Sequence, residues 1–116
     1  MSSLEPATIA IDDFMRVEVR VGKILRAEVF PEARKPAFKL TIDFGPYGIK
    51  RSSAQVASLY TPLQLEGRLV VAVVNFPPRR IAGFSSEVLV LGVPDANEQV
   101  VLLQPDRDVP LGGRMY

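Results

Sequence analysis

Apolar and polar positions alternate along most of this chain. Val17, Val19, Val21, Leu25, Ala27 and Val29 are interleaved with Glu18, Arg20, Arg26 and Glu28. A period of two predicts a strand, here far longer than the usual run of about five or six residues. The alternation slips at Gly22-Lys23-Ile24, where a charged residue takes an apolar slot, so Gly22 is expected to let the strand bend or bulge. Phe38, Leu40, Ile42 and Phe44, alternating with Lys39, Thr41 and Asp43, predict a half-buried second strand. Gly45-Pro46-Tyr47-Gly48 reads as a turn in which Pro46 presets φ and Gly48 takes the left-handed position. Residues 49–56 then return antiparallel as a third strand. Residues 69–74 are an unbroken apolar run, expected to be a fourth strand buried on both faces. Residues 88–93 form a fifth, and residues 100–103 follow a turn at 94–98 as another.

Helical signals are short. Ile9-Ala10-Ile11 reads as extended and residues 12–15 as one turn with Asp12 as its N-cap. Thr61, Pro62, Gln64 and Gly67 supply a cap, a first helical position, a capping box and a terminator for a helix of about one turn. The tail, 104–116, is loop-like, with Val109, Leu111 and Met115 suited to docking. Short strands, one short helix between the third and fourth, and frequent Gly/Pro turns predict an all-β fold. The order strand-strand-strand-helix-strand-strand is that of a small OB-fold Greek-key barrel with N- and C-terminal extensions. On pattern alone an SH3-like barrel or a small sandwich competes with it.

Composition narrows the chemistry. At 116 residues the chain is expected to be one domain, 1–116, without a run of the ~18 apolar residues that a membrane span needs. Met1-Ser2-Ser3-Leu4-Glu5-Pro6 lacks the basic and apolar regions of a signal peptide, so a cytoplasmic protein is expected. With no cysteine and no histidine there is no thiol nucleophile, no Ser-His triad and no thiolate or imidazole metal site. A carboxylate-only hydrolase would need clustered acids, and these are scattered. The expectation is a protein that is not an enzyme and needs no cofactor or metal. Net charge is only +1, but residues 14–51 carry nine bases against four acids, whereas residues 85–116 carry five acids against Arg107 and Arg114. Such asymmetry can build one positive face.

Residues 75–92 combine paired prolines, paired arginines and two phenylalanines between two apolar runs. Loops held by a rigid scaffold concentrate binding residues. Arg79 and Arg80, beside Pro77-Pro78, are candidates to clamp phosphates or acidic groups on a polypeptide. Phe76 and Phe84 could stack a base or fill an apolar pocket, with one expected buried and the other exposed. Ser86 and Glu87 could orient a ligand, although Glu87 could instead pair with Arg79 or Arg80. Arg34 and Lys35 lie between the first two strands, and Lys39, Lys50 and Arg51 lie on the second and third, the face on which OB-folds commonly bind.

Asp13-Phe14, then Val19-Arg20-Val21-Gly22-Lys23-Ile24, resembles the opening motif of the tRNA-binding OB-domain family, and Asn75, Gly83 and Ser86 match its later motif. Asn75-Phe76-Pro77-Pro78-Arg79 with Ser86-Glu87-Val88-Leu89-Val90 is similar to the CsaA-type export-chaperone subgroup. The resemblance runs from about residue 11 to residue 114. It implies an OB-fold homodimer that binds unfolded or precursor polypeptides, with a SecA-type translocase ATPase as a partner and a tRNA affinity kept from ancestry. Pro77, Glu87 and Val88 depart from the tRNA-binding pattern. A missing cation and an added carboxylate weaken phosphate attraction and favour polypeptide over RNA.

Overall fold

The computed structural model describes residues 4–116, so Met1, Ser2 and Ser3 of the stretch read for a signal peptide lie outside the described residues. Helix α1 (Ile11–Met15) is capped by Ala10, not Asp12: Ala10 is extended, and its N–H donates to the Asp13 carboxylate at 3.2 Å. Strand β1 (Val19–Val29) is bent, but the extra residue is Leu25, because the register with β2 (Phe38–Asp43) shifts between Ile24 and Arg26. Gly22 has a different task. A Cβ there would come within 2.5 Å of Ile42 Cγ2 and 2.7 Å of Phe44 Cε1, so the barrel interior has room for glycine only. The apparent slip is a switch of face. Gly22 and Ile24 point into the core, and the bulge returns Ala27 to the same side.

A 3₁₀ turn (Gly45–Tyr47) leads into β3 (Ile49–Ala54), two residues shorter than expected. Gly48 takes a positive φ (87) as expected, and Gly45 takes one as well (φ 62). Helix α2 (Pro62–Leu65) carries the expected box: Thr61 Oγ1 accepts from Gln64 N–H at 3.3 Å and Gln64 Oε1 from Thr61 N–H at 2.9 Å. Leu65, fully buried, plugs the barrel beside Ile24, Leu40, Ile42, Phe44 and Val70. Strand β4 (Leu69–Val73) pairs with β1.

Between β4 and the next barrel strand the chain is not a plain loop. It forms a hairpin of β5 (Arg79–Ile81) and β6 (Phe84–Ser86), a separate two-stranded sheet. The expected single fifth strand is two, β7 (Leu89–Val90) on the barrel and β8 (Gly92–Pro94), which pairs with β9 (Val100–Leu102). The barrel sheet runs β3-β2-β1-β4-β7 and closes where Glu87 N–H donates to the Arg51 carbonyl at 2.7 Å. This is the five-stranded, nearly closed antiparallel barrel of an OB-fold-like all-β protein. The tail docks along the first half of β1: Met115 N–H reaches the Val19 carbonyl at 2.8 Å and Gly112 N–H the Val21 carbonyl at 2.8 Å. Arg20 holds it there by donating to the Gly112 carbonyl at 2.7 Å while lying 3.8 Å over the Tyr47 ring.

Candidate binding groove

Phe30 begins the β1–β2 connection and is buried with Ala37 and Phe84 in a small cluster apart from the barrel core. The Phe30 and Phe84 rings meet edge to face, 5.4 Å between centroids, so the hairpin is anchored to this loop through Phe84. Phe84 is thus the buried phenylalanine, and Phe76 the exposed one, at 49%. The hairpin turn places Ala82 at φ 47 and Gly83 at φ 82. Two left-handed central residues make the two-residue connection whose twist matches the strands.

The family-like residues turn out to be architectural. Asn75 Oδ1 accepts from Glu18 N–H at 2.9 Å and its Nδ2 donates to the Arg16 carbonyl at 2.8 Å, tying the end of β4 to the start of β1. Ser86 Oγ, buried, accepts from Ser53 N–H at 3.0 Å, and Glu87 Oε1 accepts from Arg51 N–H at 2.9 Å. Two side chains therefore stand in for backbone carbonyls where β3 lacks a full strand partner. Glu87 pairs internally as one reading allowed, but with the Arg51 backbone and not with Arg79 or Arg80.

The cations divide into groups. Lys39 Nζ lies 4.8 Å from the Phe30 ring centre and 5.5 Å from that of Phe84, and the Arg51 guanidinium lies 4.8 Å from Phe84. Both also approach acids, Lys39 with Glu32 at 4.0 Å and Arg51 with Glu28 at 3.4 Å. Lys50 does not join them. Successive side chains of a strand point to opposite faces, and Lys50 shares the side of buried Ser52, opposite Ile42, whereas Arg51 is on the outer face. Arg80 donates to the Gly83 carbonyl across its own turn at 3.2 Å. Arg34, Lys35 and Arg79 have no carboxylate partner among the described residues.

Those three cations surround one cavity of about 530 Å³, between the β1–β2 loop, the end of β3 and the hairpin. Ser53, Arg79 and Ile81 also line a neighbouring cavity of about 250 Å³ walled by Phe76, Pro77, Glu87, Val88 and Leu89. Together they form one groove with a cationic half and an apolar half. Its volume falls in the range of ligand sites. Ser53, Gln55, Ile81 and Leu89 are not among the binding residues the sequence predicts. Ser53 on β3 and Gln55, one residue past its end, share the parity of Arg51, the one signal that could have found them. Among the described residues no three His, Cys, Asp or Glu side chains cluster as metal ligands, and no helix is long and apolar enough to cross a membrane.

Residues 19–114 match a family described as "Putative tRNA binding domain". The chain is 38% identical over 104 residues to methionine–tRNA ligase of Methanococcus aeolicus and 39% identical over 108 residues to that of Rhodopirellula baltica. These matches cover 90% and 93% of the chain but only 15% and 16% of the ligases. The chain thus spans about one sixth of the length of those curated relatives. Solved structures of chaperone CsaA from Bacillus anthracis (TM-score 0.89, 52% identity) and of a CsaA chaperone protein from Picrophilus torridus (TM-score 0.87, 45% identity) are similar throughout. Those two matches cover 95% and 94% of this chain and all of the two proteins. A MetRS-related protein from Pyrococcus horikoshii superposes with TM-score 0.85 at 26% identity, over 96% of this chain and all of that one.

Proposed function

Because this chain belongs to the tRNA-binding domain family and is of the CsaA type within it, we propose that it is a non-catalytic binding protein for unfolded or precursor polypeptides. The observation that carries this reading is the two-sided groove. Phe76 and Leu89, each about half exposed, offer apolar contact at one end, and Arg34, Lys35 and Arg79 offer unpaired positive charge at the other. Glu28, Glu32 and Glu87 are interleaved with the cations, which suits a heteropolymer of mixed charge better than a polyphosphate. In this reading the protein works in export from the cytoplasm and hands clients to a SecA-type translocase ATPase. Stoichiometric protein is expected to suppress aggregation of a chemically denatured precursor on dilution. Unchanged light scattering at that ratio would remove the proposal.

tRNA binding is the second reading, favoured by the family match and the same three free cations. Filter binding of tRNA across a salt series tests it. Each phosphate contacted should steepen the logarithmic salt dependence by about 0.7–0.9. Affinity no better than millimolar at physiological salt would dismiss it. The ligase activity of the curated relatives is not proposed for this chain.

A homodimer fits a second surface. Val21, Val71, Leu103, Val109, Pro110 and Met115 line an apolar groove of about 580 Å³ beside the docked tail, suited to cover by a second copy.

A further inference from the structure

Arg68, just before β4, is held in place but left without an acceptor. Its backbone N–H donates to the Leu65 carbonyl at 3.0 Å, and its carbonyl accepts from Ile24 N–H at 2.9 Å. The guanidinium lies 5.2 Å from the Tyr60 ring centre, and that ring is fixed in turn, its hydroxyl accepting from Leu102 N–H at 3.1 Å. Yet the buried Arg68 Nε–H has no hydrogen-bond partner among the described residues, the one such buried side-chain atom among them. Nor does any carboxylate among those residues come within ion-pair reach of it. Buried donors in native proteins are nearly always satisfied, by protein, water or a ligand. Arg68 lines a cavity of about 440 Å³ with Gly67, Gln104, Asp106, Arg107 and Asp108, and the cavity shares no residue with those beside the hairpin. Asp106 approaches Arg107, at 3.7 Å, and both are almost fully exposed, so that pair is free to rearrange.

We propose that this cavity binds a small zwitterion, its carboxylate on Arg68 and its ammonium toward Asp106 and Asp108. A guanidinium presents Nε–H and Nη–H as a planar fork that matches a carboxylate. The lining decides the rest of the ligand. Arg68 and Arg107 face Asp106 and Asp108, two cations against two acids. A dianion such as phosphate gains from the arginines but is repelled by both acids, whereas a ligand with one charge of each sign is favoured at both ends. The acids stand beyond ion-pair reach of Arg68, so the ligand's two charges must be separated by a short chain. Because its backbone and the Tyr60 ring already position Arg68, binding costs little ordering of the receptor. The cavity's size is that of a small-molecule site.

The probe is δ-aminovalerate, titrated into the full chain beside valerate, n-butylamine and inorganic phosphate. The readout is the Arg68 Nε–H resonance, identified by its absence from Arg68→Lys, with calorimetry for affinity. δ-Aminovalerate should shift this resonance saturably, and valerate should bind about three- to fivefold more weakly, the reach of exposed charge pairs. Butylamine should leave it in place. Asp106→Asn/Asp108→Asn should bring δ-aminovalerate and valerate within about twofold of each other, with valerate bound no more weakly than before. Arg68→Lys keeps the charge but loses the fork, and should weaken δ-aminovalerate about tenfold or more. If Arg68→Lys does not fold, the aspartate pair, exposed on the tail, still decides by calorimetry. Equal affinities of δ-aminovalerate and valerate for the unmodified protein, or phosphate bound more tightly than either, would overturn zwitterion recognition. A resonance that no probe moves would mean that water alone satisfies Arg68, and would overturn the site.

Discussion

Two phenylalanines eight positions apart have opposite work. Phe84 is buried against Phe30 and supports two cations, whereas Phe76 is exposed beside Pro77. Phe84→Ala should lower stability by about 3–4 kcal/mol, the usual cost of deleting a packed ring. Phe76→Ala should leave stability within about 0.5 kcal/mol and weaken polypeptide binding. Urea denaturation and client titration of the two variants separate the roles, and a large stability loss in Phe76→Ala would contradict the assignment. Gly22→Ala should destabilise by about 3 kcal/mol, because the new methyl group meets Ile42 and Phe44 in a filled interior. Its place in the alternation predicts a bend or bulge at Gly22. It is a packing residue, since the hinge needs only a spare residue and Leu25 supplies one.

Among the elements, the β5–β6 hairpin was the least visible in advance. Pro77-Pro78 and Arg79-Arg80 read as a connector, and Ala82-Gly83 is a weaker hairpin signal than Asn-Gly or Asp-Gly. Its existence depends on Phe84 finding Phe30 and Ala37 far away in sequence. The seam between β3 and the hairpin is similarly non-local, held by the Ser86 and Glu87 side chains. Ser86→Ala leaves the Ser53 N–H without its acceptor and should cost about 1–3 kcal/mol. Glu87→Gln keeps an acceptor oxygen for Arg51 and should cost less than about 1 kcal/mol. Chemical denaturation of both gives the comparison, and equal losses would mean that the carboxylate charge, not its acceptor, holds the seam.

Over the whole molecule, charge and apolar surface lie in different places. The cavity beside the β5–β6 hairpin holds Arg34, Lys35 and Arg79, and the apolar groove lies along the tail at Val109 and Met115. Removing the groove cations in an Arg34→Ala/Arg79→Ala double variant should weaken acidic peptides about tenfold and flatten the salt dependence of binding, as loss of exposed charge does. Isothermal titration at two salt concentrations reads both effects. For the dimer, light scattering should give twice the 12.8 kDa chain mass, and Val109→Asp/Met115→Asp should return the single mass while keeping the fold. A monomer in the unmodified protein would refute the second surface.

The residue pattern alone determined most of the strands and the short second helix, and left an OB-fold barrel, an SH3-like barrel and a small sandwich in competition. Period-two alternation, the Thr61–Gln64 capping box and the order of strands are local signals that need no partner to be read. It also determined that catalysis by histidine or cysteine has no residues to work with. Tertiary structure decided which candidate side chains stand together. Of the candidates named from sequence, Asn75, Phe84, Ser86 and Glu87 went to architecture, Lys50 to the other side of its strand, and Arg34, Lys35 and Arg79 to one cavity with Gln55. Whether a polar side chain bonds its own backbone or waits for a ligand depends on which distant strand arrives beside it, and only the closed barrel sets that.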